Sequence, residues 1–253
     1  MRLKGKVVIL TGVAGGIGRA FAKALVKEGA KLCSSDFKPF DDLTKELEKA
    51  GGEVLSLKVD ITSEKDTQMM AEKTIAKFGR IDILINNAAI FGGLTLAPIL
   101  NVPAEQFRKV IDTNITGPFL CSKAVLPQMV KQKSGNIINV GSTIWILAKI
   151  PMIHYVTSKA AIMGLTRCLA GDPTLNQNNI RCNSLMPGGT WDEATVGILG
   201  NIPGIEEKLL ADQNIHRREM PEDLVGPMLF LCSDESAIMS GNSVAADAGL
   251  CPW

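Results

Sequence analysis

Lys6-Val7-Val8-Ile9-Leu10-Thr11-Gly12-Val13-Ala14-Gly15-Gly16-Ile17-Gly18 joins a short, β-rich apolar run to a turn of glycines and small residues. The run has the unbroken apolar character of a strand buried on both faces. Beyond the turn, Ile17, Ala20, Phe21, Ala24 and Leu25 recur at helical spacing, and Gly29 stops the helix after Glu28. Strand, glycine turn and helix together let a backbone approach a pyrophosphate and rest it on a helix N-terminus. Alone, the pattern also fits a generic tight turn. No Gly-Lys-Ser/Thr follows, so it is not a Walker phosphate loop.

The same rhythm continues. Further strands are expected over 31–35, 54–59, 81–85, 136–140, 180–185 and 243–246, and helices over 42–50, 64–78, 104–131, 155–169 and 221–231. Pro118 and Pro127 imply a kink in the 104–131 helix. Gly171-Asp172-Pro173 shortens the helix before the 180–185 strand. This alternation predicts an α/β fold, a Rossmann-type doubly wound parallel sheet with helices on both faces. One domain covering 1–253 is expected. Residues 188–214 break the rhythm and are rich in glycine, which predicts a substrate loop or lid.

Composition removes several function classes. The chain has 27 basic and 26 acidic residues, a formal net charge of +1 and no Lys/Arg block, so no nucleic-acid partner is expected. No apolar run approaches the roughly 20 residues that span a bilayer, so no membrane partner is expected either. Met1-Arg2-Leu3-Lys4-Gly5 lacks signal-peptide layout, and a cytoplasmic location is expected. The six cysteines are scattered without Cys-x-x-Cys spacing and only two histidines exist, so no metal is expected.

Parallel sheets bind ligands beyond the carboxyl ends of their strands, and the informative residues fall there. Asp36 ends the second strand, where a carboxylate accepts ribose hydroxyl bonds and repels a 2′-phosphate. That favours NAD over NADP, although Lys38 nearby weakens the repulsion. Asp60 ends the third strand and either contacts the adenine or caps the next helix. Asn87 and the small Ala88 follow the fourth strand, and Asn87 can brace the strand ends. Tyr155 and Lys159 share one helix face at i, i+4. An adjacent ammonium favours phenolate and lowers a tyrosine's pKa toward working pH, so the pair can move a proton to or from an alcohol oxygen. Tyr155 is the only tyrosine in the chain. Ser142, after the fifth strand, can hydrogen-bond the same oxygen.

Taken together, these residues resemble the short-chain dehydrogenase/reductase superfamily, in its single-domain branch. The resemblance runs through Thr11 to Gly18, Asn86-Asn87-Ala88-Ala89, Asn114, Ser142, Tyr155-x-x-x-Lys159, Pro187-Gly188 and Gly241 to Gly249. It implies that Tyr155 is the general acid/base. Lys159 binds the nicotinamide ribose and lowers the tyrosine's pKa, Ser142 orients substrate, and Asn114 holds a water in a proton relay. The implied NAD contacts are Gly12, Gly16, Ile17, Gly18, Asp36, Phe37, Asp60, Ile61, Asn87, Ala88, Tyr155, Lys159, Pro187, Gly188 and Thr190. A homotetramer is also implied, and the apolar tail Leu250-Cys251-Pro252-Trp253 could pack against a partner subunit.

The sequence also departs from the family pattern. Ala89 and Ala248 replace glycines. Asp192 stands where the family has a threonine that bonds the carboxamide, leaving Thr190 or Thr195 to substitute. Gly12, Gly15 and Gly18 also fit the spacing of the longer sugar-nucleotide epimerase branch, which the chain length disfavours.

Expected substrate contacts are Ser142, Ile144, Trp145, Tyr155 and Trp191, with Met152 as a further wall. Trp145 after the serine resembles secondary-alcohol dehydrogenases that act on aryl ketones and other hydrophobic compounds. Asp192 and Glu193 favour a polar or sugar-like hydroxy compound instead. A dinucleotide-binding regulatory scaffold is the non-enzyme alternative, and the intact Tyr/Lys/Ser set argues against it. A Ser-His-Asp hydrolase lacks its Gly-x-Ser-x-Gly elbow, and His154 reads as packing.

Overall fold

The computed structural model describes residues 1–148, 150–200 and 202–251. Seven strands alternate with helices: β1 Val7–Thr11, α1 Gly16–Lys27, β2 Lys31–Asp36, α2 Asp41–Lys49, β3 Val54–Lys58, α3 Glu64–Phe78 and β4 Ile83–Asn86. The second half holds α4 Ala104–Ile111, α5 Gly117–Gln132, β5 Gly135–Val140, α6 Ile144–Leu147, α7 Ile153–Gly171, α8 Pro173–Asn176 and β6 Ile180–Pro187. The chain then forms α9 Glu193–Leu199, α10 Ile205–Asp212, α11 Val225–Cys232 and β7 Ser243–Ala246.

The strands form one parallel sheet in the order β3-β2-β1-β4-β5-β6-β7. This is the expected doubly wound Rossmann-type sheet, and its order reverses between β1 and β4. Strand side chains alternate between two cores. Val8, Leu10, Leu32, Ile83 and Ile85 meet Phe21, Leu25, Met228 and Leu229 on one face. Ile9, Cys33, Leu84 and Ile137 meet Met70, Cys121, Val125 and Met129 on the other. Because both faces are buried, the strands read as continuous apolar runs.

The structure corrects four expectations about elements. The 104–131 helix is two helices separated by a wider π-helical turn over Asp112–Thr116. Pro118 has no N–H to donate to the Asn114 carbonyl, and the Gly117 N–H bonds the Asp112 carbonyl instead. Pro127 is accommodated inside α5. The 188–214 segment is not bare loop, since it contains α9 and α10. The helix before β6 runs to Gly171 before Asp172 restarts the chain as the N-cap of α8, accepting the Thr174 N–H. The last helix starts as a 3₁₀ turn over Pro221–Leu224.

Leu250 and Cys251 are buried against their own chain, and Pro252 and Trp253 lie outside the described residues. Among the described residues, no helix is long and apolar enough to cross a membrane.

Candidate active site

The glycine turn is a cradle with little room for side chains. Gly12 has φ +76°, and a Cβ there would lie 2.5 Å from Ala88 Cα. A Cβ on Gly18 would overlap the Gly12 carbonyl. At Gly15, by contrast, a Cβ would meet nothing within 4 Å, so the outer face of the turn is open. No side chain caps the N-terminus of α1. A bare turn with uncapped N–H groups at the sheet's switch point fits a dinucleotide pyrophosphate.

Neighbouring strand ends hold this cradle in place. Asn87 Nδ2 donates to the Thr11 and Gly12 carbonyls at 3.0 and 2.8 Å. The Thr11 hydroxyl accepts the N–H groups of Asn87 and Ala88, both at 3.1 Å. Asn87 therefore braces the strand ends, as its position suggested. One Asp36 oxygen accepts the Ala14 N–H at 2.9 Å and the other the Lys38 N–H at 2.8 Å, which fixes the carboxylate beside the turn. Phe37 is exposed, with the Lys58 ammonium 5.3 Å from its ring centroid. Asp60 accepts the N–H and hydroxyl of Thr62, while Ser63 caps α3. The capping alternative for Asp60 therefore falls to Ser63. Ile61 is buried against Gly117.

The candidate proton-transfer group lies across the sheet ends from this cradle. Ser142 follows β5, and its hydroxyl donates to the Pro187 carbonyl at 3.3 Å and accepts the Ile144 N–H at 3.2 Å. Ile144 and Trp145 lie half-buried on α6. Tyr155 packs against Phe91, with ring centroids 4.9 Å apart. Buried Lys159 donates to the Val140 carbonyl at 2.8 Å, and its ammonium lies over the Tyr155 ring, 5.6 Å from the centroid.

Asn114 sits in the π-helical turn, where its amide oxygen accepts the Ile90 N–H at 2.7 Å. Its amide nitrogen donates to Ser158 Oγ at 3.0 Å, and Ser158 donates in turn to the Tyr155 carbonyl at 2.7 Å. Ser158, three residues after Tyr155, thus ties α7 to the π-helical turn. Ser158 lies inside the Tyr155-x-x-x-Lys159 spacing at a position that the spacing leaves open.

The electrostatics differ from expectation. Burial raises the Tyr155 pKa well above the usual tyrosine range, and the Asp192 carboxylate adds to this. Burial also brings Lys159 down to about 8. The expected lowering of the phenol's pKa by the neighbouring ammonium is therefore overridden by desolvation of the ring.

Asp192 caps α9 by accepting the Thr195 N–H at 2.9 Å and crowds the glycine turn, where a Cβ on Gly16 would lie 2.8 Å from Asp192 Cβ. Thr190 donates its hydroxyl to Glu219 and does not lie free beside the turn. Trp191 is 5% exposed, with the Arg218 guanidinium 4.7 Å from its ring centroid.

His154 is fully buried, with Nδ1 accepting the Tyr155 N–H at 2.8 Å. Nε2 then carries the ring proton and faces Gln106 Oε1 at 3.1 Å. This is the polar-packing role read from the sequence. Burial lowers its pKa, so the folded protein takes up this proton at lower pH than the unfolded chain, which binds it at about pH 6.5. Stability should fall as pH drops through that value. Urea midpoints at about pH 7.5 and 5.5 should fall more for the native protein than for His154→Gln, whose amide does not titrate. Equal losses would contradict this.

A doubly wound parallel sheet with a glycine turn at its switch point and a Tyr–Lys helix held against the end of β5 defines a dinucleotide-dependent oxidoreductase. Residues 12–251 match the family model described as Enoyl-(Acyl carrier protein) reductase. The chain is 34% identical to the 3-oxoacyl-(acyl-carrier-protein) reductase of Thermotoga maritima, over 99% of both chains. It is also 34% identical to the 7alpha-hydroxysteroid dehydrogenase of Escherichia coli K12, over 98% of this chain and 95% of that one. Among solved structures, NAD+-bound xylitol dehydrogenase aligns with a TM-score of 0.89 at 29% identity, over 97% of this chain and 98% of the other. The chain belongs to the short-chain dehydrogenase/reductase family, whose members are oxidoreductases that bind a nicotinamide dinucleotide.

Proposed function

We propose that the protein is an NAD-dependent oxidoreductase interconverting a secondary alcohol and a ketone. What supports this reading is that Ser142 just past β5, Lys159 bonded to Val140 at the end of that strand, and Tyr155 on the Lys159 helix lie toward the carboxyl end of the sheet that carries the glycine turn, with Asn114 tied to the same helix. A bound nicotinamide supplies the hydride acceptor or donor. Tyr155, held neutral by burial, donates its phenolic proton to the ketone oxygen in reduction and takes one back in oxidation. Ser142 hydrogen-bonds the same oxygen. Lys159, fixed by the Val140 carbonyl, holds the nicotinamide ribose. The Asn114 carbonyl, which receives no bond from Pro118, holds a water that returns protons through Lys159 in this reading.

Asp36 supports NAD over NADP. The remaining cofactor contacts are proposed at Gly12, Gly16, Ile17, Gly18, Phe37, Asp60, Ile61, Asn87, Ala88, Pro187, Gly188 and Thr190. Residues 188–214 act as the lid in this reading. The substrate wall takes Ile144 and Trp145 for a hydrophobic ketone, with Trp191 contributing from the lid. A polar or sugar-like hydroxy compound is the second reading, because Asp192 brings a carboxylate close enough to act on the Tyr155 phenol. A cytoplasmic homotetramer is proposed as the working form, tested by sedimentation velocity. The function is tested by NADH formation across aromatic, steroidal and sugar-derived alcohols. Turnover of at least one secondary alcohol is expected, and none with any class would overturn the reading.

A further inference from the structure

We propose that Glu219 is a positioning residue whose ionised carboxylate holds the Pro187–Thr190 turn at the nicotinamide end of the cofactor site. This rests on the dinucleotide reading above. Glu219 is 4% exposed and makes three holds on four consecutive residues. Its Oε1 accepts the Thr190 hydroxyl, its Oε2 accepts the Gly188 N–H at 3.2 Å, and its carbonyl accepts the Trp191 N–H at 2.7 Å. Gly188 is wedged from the other side, since a Cβ there would lie 2.8 Å from Asp247 Cβ and 2.9 Å from Glu219 Oε2. The turn therefore has one seat, between Glu219 and the exit of β7.

The charges around Glu219 make this hold sensitive to pH. Asp247, just past β7, and Asp223, on the 3₁₀ turn, both face it with negative charge. The adjacent cations are engaged elsewhere. Arg217 pairs with Asp223 at 2.6 and 2.8 Å, and Arg218 pairs with Glu206 of α10 at 2.6 and 2.7 Å. Burial, with a smaller contribution from the two carboxylates, raises the Glu219 pKa to about 7. When ionised, Glu219 accepts from Gly188 and Thr190 together. When protonated, it must donate its own proton to the Thr190 hydroxyl and offers the Gly188 N–H only a neutral carbonyl oxygen, so both holds lose their charge assistance. The turn should loosen as pH falls through neutrality.

The test is binding and needs no turnover. NADH affinity is read by fluorescence and ADP-ribose affinity by calorimetry, at about pH 8 and pH 6. ADP-ribose lacks the nicotinamide and should bind alike at both values. Native NADH affinity should fall by about fivefold on acidification, the scale set by losing charge-assisted bonds. Glu219→Gln keeps the shape without the charge. It should bind NADH about fivefold more weakly at pH 8 and lose that pH response, with ADP-ribose unchanged. Thr190→Val should weaken NADH alone, and Thr190→Ser should restore it. A Glu219→Gln protein with the native pH response overturns the inference, as does parallel weakening of both ligands. A native protein that binds neither ligand removes the dinucleotide reading itself, whereas ADP-ribose binding with an NADH response independent of Glu219 overturns this inference alone.

Discussion

Tyr155→Phe should lower turnover by about 10³-fold while NADH affinity stays within about twofold. The substitution removes one hydroxyl and leaves the ring, its packing on Phe91 and the seat of Lys159 beneath it. The hydroxyl is the only group at this position able to pass a proton to the substrate oxygen, so its loss falls on the chemical step. The phenol's high pKa also gives a direction. A neutral phenol is the proton-donating form, so ketone reduction should run well at neutral pH and alcohol oxidation should climb as pH rises. Steady-state kinetics in both directions check this. A Phe variant that keeps more than a tenth of native turnover would take Tyr155 out of the proton-transfer role.

Asp36→Ala should shift the preference for NAD over NADP by tenfold or more, read as the ratio of the two kcat/KM values. Two unit charges about 4 Å apart repel by about 4 kcal/mol at an effective dielectric of 20. The half-buried position of Asp36 and the nearby Lys38 reduce that figure, which leaves a tenfold effect as the conservative expectation. The carboxylate cannot simply swing aside, because the Ala14 and Lys38 N–H groups hold both oxygens. Removing it also frees the Ala14 N–H of the glycine turn, so NAD itself should bind less well. An unchanged ratio would assign the preference to another residue.

Much of this protein was legible before any coordinates. Four apolar residues, Val7 to Leu10, running into Thr11-Gly12 mark β1, because a strand buried on both faces leaves no polar alternation to misread. Asp36, Asn87 and Ser142 fall at strand ends by simple counting along the alternation. The π-helical turn was not legible. Pro118 signalled a disturbance, but a kink and a widened turn answer the same missing N–H, and the local sequence does not distinguish them. The helices at 193–199 and 205–212 were hidden by the glycines around them. The Tyr155–Lys159 spacing correctly suggested proximity and wrongly suggested the balance of pKa effects, since spacing carries no information about burial. Glu219 gave no local signal, because its partners Gly188 and Thr190 lie about thirty residues earlier in the chain.

The central claim is that one phenol works beside a dinucleotide seated on the glycine turn. A crystal structure with NAD+ and a turned-over alcohol tests it most directly. The pyrophosphate should lie over Gly15 and Gly16, the adenosine ribose should lie on Asp36, and the Tyr155 oxygen should be within about 3 Å of the alcohol oxygen. A dinucleotide bound away from the turn, or a Tyr155 oxygen out of reach of the reacting oxygen, would contradict the account.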